Sequence, residues 1–382
     1  MVDLTEGSRA NPREMRGFLS RIPASILHPS LACDKPSFTI SYSGTTWPRI
    51  MHKYLLFFFA AWMGLVPPAW ALHGPDDDAQ LGQASFQAWL AAFRKEAEVK
   101  GISPATLDRA LARTEFLPRV IELDRQQPEF TLTLEDYLRR VVPERRVRLG
   151  RKKLAEQRPR LERIARRYGV PPRFLVALWG IETDFGRLTG GFNALSALAT
   201  LAYEGRRAQY FRRELLNALR IIDAGHIEPA AMTGSWAGAM GQTQFMPSTF
   251  LHYAVDGNGD GRIDLWNDLD DVFASAAHYL SSIGWNGRYT WGREVRLPEG
   301  YDAAWIGQRK PLAQWRELGL RRADGGALPV VAGLEAELVS PDGPGGRSYL
   351  TYDNYRVLLK WNRSDKFAIA VGTLADRIVG RR

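Results

Sequence analysis

At 382 residues, 45% hydrophobic and 24% charged, the chain has material for a buried core and for more than one domain, and it reads as globular. The formal charge of +9 admits acidic partners, but the arginine runs "RRVRLGRKK" and "RPRLERIARRYG" are interleaved with Leu and Val in helix-like sequence. They read as solvated helix faces, and no nucleic-acid site is expected. The lone cysteine, Cys33, excludes a disulfide framework.

Residues 1–50 are irregular and rich in Pro, Ser and Thr, and a second start follows at Met51. The stretch "MHKYLLFFFAAWMGLVPPAWALHG" has a basic start, an apolar run from Tyr54 to Val66 and a small-x-small ending at Ala69–Ala71. This is the grammar of a secretory signal, 51–71, with 1–50 an upstream extension of the reading frame. The apolar run is too short to span a bilayer comfortably. The alternative is a long N-terminal tail before an uncleaved anchor. With Cys33 upstream of the start, the mature chain has no thiol nucleophile and no lipid-modified cysteine. A soluble, periplasmic protein without a stable membrane anchor is expected.

From about Gln80 the pattern is helical. "DAQLGQASFQAWLAAFRKEAEVKGI" has apolar residues three and four apart and stops at Gly101. "SPATLDRALART" opens with Ser103 as N-cap and Pro104 in the first turn. Helical spacing runs through "LEDYLRRVV" and on, with charges interleaved, through "RVRLGRKKLAEQRPRLERIARRYG". After about Trp285 alternation, Val and turn residues predict a small β-rich insertion, and helix returns in "KFAIAVGTLADRIVG".

Glu182 is the odd residue of "LVALWGIETDFG", residues 175–186. A helix starting near Pro171 places Phe174, Leu178, Ile181 and Phe185 on one stripe, and Leu175, Leu178 and Glu182 three and four apart. Desolvation at the border of a buried face keeps a carboxyl protonated, as a general acid requires. The structural alternative is a Glu near a helix end, tied to an Arg such as Arg187. Asp184, about 200° round the axis, cannot share its face, so no in-helix dyad exists.

"GSWAGAMGQTQFMPSTF", residues 234–250, combines small residues for close backbone approach with Ser235, Gln242 and Gln244 for hydrogen bonds; equally, small residues serve helix packing. "DGNGDGRIDLWNDLDD" follows. Asp256, Asn258 and Asp260 at positions 1, 3 and 5, with Gly261 at 6, match the start of an EF-hand calcium loop. Position 12 is Asn267 in place of Glu, and Asp270 or Asp271 could close a longer loop. A structural calcium ion is expected and no organic cofactor; an Asx-rich turn is the alternative.

Together "GIETDFGRLTG", "ALATLAYEGRRAQYFRREL", "GSWAGAMGQTQFMPSTF", the calcium-like loop and "KWNRSDKFAIAV" resemble the MltB family of lytic murein transglycosylases over roughly residues 84–380. The resemblance implies a mainly α (α+β) fold. Its parts would be a helical N-terminal domain (80–150), a goose-lysozyme-like catalytic core (151–290) with the EF-hand-like loop at 256–271, a small β-rich domain (291–350) and a C-terminal return to the core (351–382). It implies peptidoglycan glycan strands as substrate, with other cell-wall enzymes as further partners. Glu182 matches the family's catalytic carboxylate. Ser235 and Gln244 match positions that contact the sugar and support the acid, Tyr279 and Asn362 line the groove, and Tyr137 is a weaker match. By the same alignment Asp271 is the last calcium ligand and Arg262 gives its main-chain carbonyl. Phe367 stands where some members have Tyr, and the calcium loop is one residue longer before its closing acid. The implied reaction is non-hydrolytic, leaving 1,6-anhydromuramic ends. A hydrolytic muramidase using a second acid such as Asp184 or Asp223, and a non-catalytic wall-binding protein, are the competing classes.

Overall fold

The structure is a computed structural model that describes residues 75–125 and 132–381; the expected extension at 1–50 and signal at 51–71 lie outside the described residues. Helix α1 (Pro75–Val99) buries Phe86, Leu90, Phe93 and Ala97, spaced four, three and four apart, and the chain turns at Gly101 with φ 87°. At α2 (Pro104–Leu111) the Ser103 hydroxyl accepts the Thr106 N–H at 3.2 Å, as its cap position requires. Helices α3 (Pro118–Arg125) and α4 (Leu134–Val141) follow, the latter capped by Thr133.

The long basic run, expected as helix throughout, breaks at Gln157 into α5 (Glu144–Glu156) and α6 (Arg158–Tyr168). Pro159 explains the break: it has no N–H for the carbonyl of Ala155, and its ring crowds the preceding turn. Gly169, at φ 72°, closes α6. Helix α7 (Pro172–Thr183) then runs through the core, burying Phe174 to Gly180 without a break, which is why its sequence is apolar on every side.

The rest of the chain comprises β1 (Phe192–Asn193), α8 (Ala194–Glu204), α9 (Ala208–Asp223), β2 (Thr233–Gly234), α10 (Pro247–Tyr253) and α11 (Leu269–Ser282). Then come β3 (Gly292–Arg296), β4 (Arg309–Pro311), α12 (Leu312–Glu317), β5 (Arg321–Arg322), β6 (Glu335–Val339), β7 (Ser348–Thr351), α13 (Asp353–Trp361) and α14 (Asp365–Ile378). Strands β1 and β2 pair antiparallel, and the other five form an antiparallel sheet in the order β4-β6-β7-β3-β5.

Three apolar clusters hold this together. Phe174, Leu178 and Trp179 of α7 pack with Phe273 of α11 and Ile369 and Leu374 of α14, and α4 to α6 contribute to the same cluster. A second joins α1 to α3 with α8 to α10 through Phe86, Phe93, Leu195, Leu215 and Phe250. The third, around Trp315, Leu338 and Leu350, belongs to the sheet. Each large side chain so buried stabilises the fold by about 1.5–3 kcal/mol before entropy is counted. Trp361 packs against both of the first two clusters.

Candidate active site

Helix α7 ends one residue after Glu182, and Asp184 and Phe185 take left-handed conformations, φ 48° and 64°. Phe185 was expected on the helical stripe; it lies beyond the helix and folds back to the same core, its ring edge-on to Trp179 at 5.5 Å and over Gly180. Thr183 fixes the reversal by accepting the Gly186 N–H at 3.1 Å and donating to the Gln242 carbonyl at 3.0 Å.

Asp184, 3% exposed, is clasped by Arg145 and Arg146 of α5 and by Arg187, at 2.8 to 3.3 Å. Burial works against its charge, but hydrogen bonds and charge from Arg145, Arg187 and Arg146 outweigh it and hold the carboxyl below its ordinary value. Arg187, weighed as a partner of Glu182, thus serves Asp184. Asp223 accepts from Ser103 Oγ at 2.5 Å and Thr106 Oγ1 at 2.7 Å, bonds that lower its pKa and tie α9 to α2.

Glu182 is half-buried, and the indole N–H of Trp361 donates to its Oε1 at 2.7 Å. Behind it Leu175, Leu178, Thr243 and Phe273 line a void of about 10 Å³, room for at most one water. The Trp361 ring lies 5.2 Å from that of Tyr279 and 5.4 Å from that of Phe245. Tyr279 donates to the Lys360 carbonyl at 3.1 Å, and burial raises its pKa. Asn362 follows Trp361, exposed, its Oδ1 accepting the Ser364 N–H at 3.2 Å. Sequence reasoning singled out Asn362 and passed over its neighbour.

The segment after β2 lies against the end of α7. Gly190 approaches Gly234 so closely that a Cβ on it would stand 1.9 Å from the Gly234 carbonyl oxygen. The Ser235 hydroxyl accepts the N–H of Ala239 at 3.1 Å and of Ala237 at 3.3 Å, so what it offers a ligand is its own O–H. Gln244, at φ 50°, donates its amide nitrogen to the Thr189 and Gly241 carbonyls at 3.1 and 3.0 Å, which leaves its side-chain oxygen to present. Gln242, also considered for ligand contact, is buried: Trp179 Nε1 donates to its oxygen and its nitrogen to the Trp266 carbonyl, both at 2.7 Å. Tyr137 is half-buried on α4 against the cluster of α7.

In the acidic loop, Asp256 accepts the N–H groups of Gly259 at 2.5 Å and Gly261 at 2.7 Å, while Asp260 accepts that of Arg262 at 2.9 Å. Asn258 donates to Asp260 and Asp268. Asp271, 1% exposed, turns into the loop and accepts from Gly257 and Asp264, both at 2.7 Å, whereas Asp270 pairs outward with Arg160 and Arg163. Burial, with the charges of Asp268 and Asp256, pushes the Asp271 carboxyl up against the pull of its two N–H donors. Among the described residues no three His, Cys, Asp or Glu side chains alone form a metal cage. The donors present are oxygens, the type a hard cation takes, and such a cation would need the Asn258 side chain and the Arg262 carbonyl besides the carboxylates.

A buried helix delivering one half-buried carboxylate to the aromatic side chains of Trp361, Tyr279 and Phe245, with an exposed amide beside them, defines a lysozyme-like core. Residues 85–376 match the family described as Transglycosylase SLT domain, and the chain belongs to that family. It is 34% identical over 226 residues to membrane-bound lytic murein transglycosylase B of Escherichia coli (strain K12). That match takes in 55% of this chain and 58% of the relative, so it spans little more than half of the relative's length. The crystal structure of SltB3 from Pseudomonas aeruginosa in complex with NAG-NAM-pentapeptide is similar, with 44% identity, a TM-score of 0.75 and coverage of 77% of this chain and 80% of that one. So is the Escherichia coli lytic transglycosylase Slt35 in complex with calcium, at 30% identity, TM-score 0.66 and coverage of 76% and 92%. Among the described residues no helix is long and apolar enough to cross a membrane.

Proposed function

We propose that the protein is a lytic murein transglycosylase that cleaves the β-1,4 bond between N-acetylmuramic acid and N-acetylglucosamine without water, with Glu182 as its acid and then its base. The observation that carries this reading is the commitment of both competing carboxylates: Asp184 to three arginines and Asp223 to Ser103 and Thr106. A hydrolase would need one of them to activate water.

In the proposed cycle protonated Glu182 gives its proton to the leaving glycosidic oxygen as the C1–O bond breaks, and the substrate's acetamido oxygen stabilises the positive charge at C1. The carboxylate then takes the proton of the muramic C6 hydroxyl, whose oxygen bonds to C1 and closes the 1,6-anhydro ring. The Trp361 N–H can only donate, so Oε1 is an acceptor in both protonation states and the proton travels on Oε2. Ser235 supplies a donor and Gln244 an acceptor to the sugar, while Tyr279, Asn362 and Tyr137 line the groove. Mass spectrometry of muropeptides released from purified peptidoglycan tests this. Anhydro-ended products that vanish with Glu182→Gln are expected; reducing ends, or an active Glu182→Gln, would sink it.

A calcium ion on Asp256, Asn258, Asp260, Asp271 and the Arg262 carbonyl would offset the crowded charge at Asp271 and serve stability only. The melting temperature should rise in calcium over chelator, by the equivalent of about 2.7 kcal/mol at a hundredfold excess over Kd, and Asp256→Ala should abolish the rise. Equal melting in both buffers would remove the ion from the reading. The segment 51–71 fits export to the periplasm, which N-terminal sequencing of the exported chain would check.

A further inference from the structure

Away from the groove, a cavity of about 440 Å³ opens between strands β3 and β7 and the end of α14. Five arginines line it against three carboxylates, and two of those carboxylates are already matched. Glu294 accepts two bonds from Arg347, at 2.8 and 2.5 Å, and Asp324 pairs with Arg322 at 3.1 Å. Arg377 is engaged by Glu144 and by the Val142 carbonyl, and Arg293 donates through Nε to the Tyr352 hydroxyl at 2.8 Å, which leaves Arg381 and the remaining guanidinium nitrogens of Arg293 against the single carboxyl of Asp376.

The floor of the cavity is polar and unsatisfied. Tyr349, 2% exposed, has a hydroxyl without a hydrogen-bond partner among the described residues; Oδ1 of Asp376, also without a hydrogen bond, pairs with the Arg173 guanidinium at 3.7 Å. The other oxygen of Asp376 accepts the Trp291 indole N–H at 2.9 Å. A buried hydroxyl left unpaired is unfavourable, and a bound ligand that accepts from it would recover that cost. Burial also pushes the Asp376 carboxyl up, reducing the negative charge an anion would meet.

We propose that this cavity is a second binding site, for an oxyanion of the carboxylate class such as the free acid groups of a peptide. The guanidinium groups of Arg293 and Arg381 would take the carboxylate, and the Tyr349 hydroxyl would donate to it. The site is distinct from the groove. Asp376 lies 3.7 Å from Arg173, in the first turn of α7, while Glu182 is nine residues on, about 14 Å along the helix.

Calorimetry on the full chain, with acetyl-Glu-Glu, its bis-amide and inorganic phosphate as probes, tests this. The acid should bind saturably, and the amide, like the acid to a doubly substituted Arg293→Gln, Arg381→Gln chain, about tenfold more weakly. Tyr349→Phe, in case the double variant folds poorly, should melt higher without ligand yet bind the acid more weakly, a pairing that a purely structural tyrosine does not give. Equal binding of acid and amide, or unchanged binding in a folded variant, overturns the proposal, as does phosphate binding more tightly than the peptide. Glycan cleavage should be unchanged in both variants, so failure here is separate from failure of the Glu182 reading.

Discussion

The hydrogen bond from Trp361 to Glu182 joins residues 179 positions apart and, in the proposed mechanism, leaves Oε2 to carry the proton. Trp361→Phe keeps the aromatic contact with Tyr279 and Phe245 but removes a donor that favours the charged carboxylate. Because the acid form is the active one, the basic limb of the pH–rate profile should move up by about one unit, with kcat falling and melting little changed. Trp361→Tyr, which restores a donor, should bring the limb partly back; a profile unmoved by Phe would mean the indole only packs. Glu182 stood out in the sequence because the run around it is apolar on every side, while its role as the acid, which we propose, was implied by the family resemblance. Trp361 did not, since an indole in an amphipathic helix looks like any core residue until the fold brings it to an acid.

Among elements, local grammar was readable wherever the cause was local: the Ser103 cap, the Gly101 and Gly169 stops, the β-rich region after Trp285. The division of the basic run into α5 and α6 follows from Pro159, visible in the sequence but outweighed there by unbroken helical spacing. What pairs with what was not readable: α1 to α3 share a core with α8 to α10, and no periodicity specifies a partner element. The contact of the 188–190 turn with β2 is one such pairing, and Gly190 is its narrowest point. Gly190→Ala places a methyl 1.9 Å from the Gly234 oxygen at a residue with φ 109°, which disfavours any side chain. We expect a loss of about 2–4 kcal/mol by denaturant melting, together with a raised KM as Ser235 and Gln244 lose register. Wild-type stability and kinetics would refute the tight packing of this turn.

For the whole molecule, the clasp on Asp184 links α5 to the end of α7 and shapes the stability curve. Its folded pKa is depressed, so its contribution is present above the ordinary aspartate value of 3.8 and is lost as pH falls through the lower folded value. Asp184→Asn should therefore lower stability at neutral pH by about 2–3 kcal/mol and flatten the acid limb of a melting-temperature profile. A parallel drop at every pH would assign the loss to packing in place of charge.

Trp361 touches both large clusters, and through it the acid in one is oriented by a residue whose position depends on the other. Neither cluster alone aligns the carboxylate. On the proposed reading of Glu182, a chain with only one of these clusters formed would lack an oriented acid, and cleavage would begin only once α13 has docked between the two.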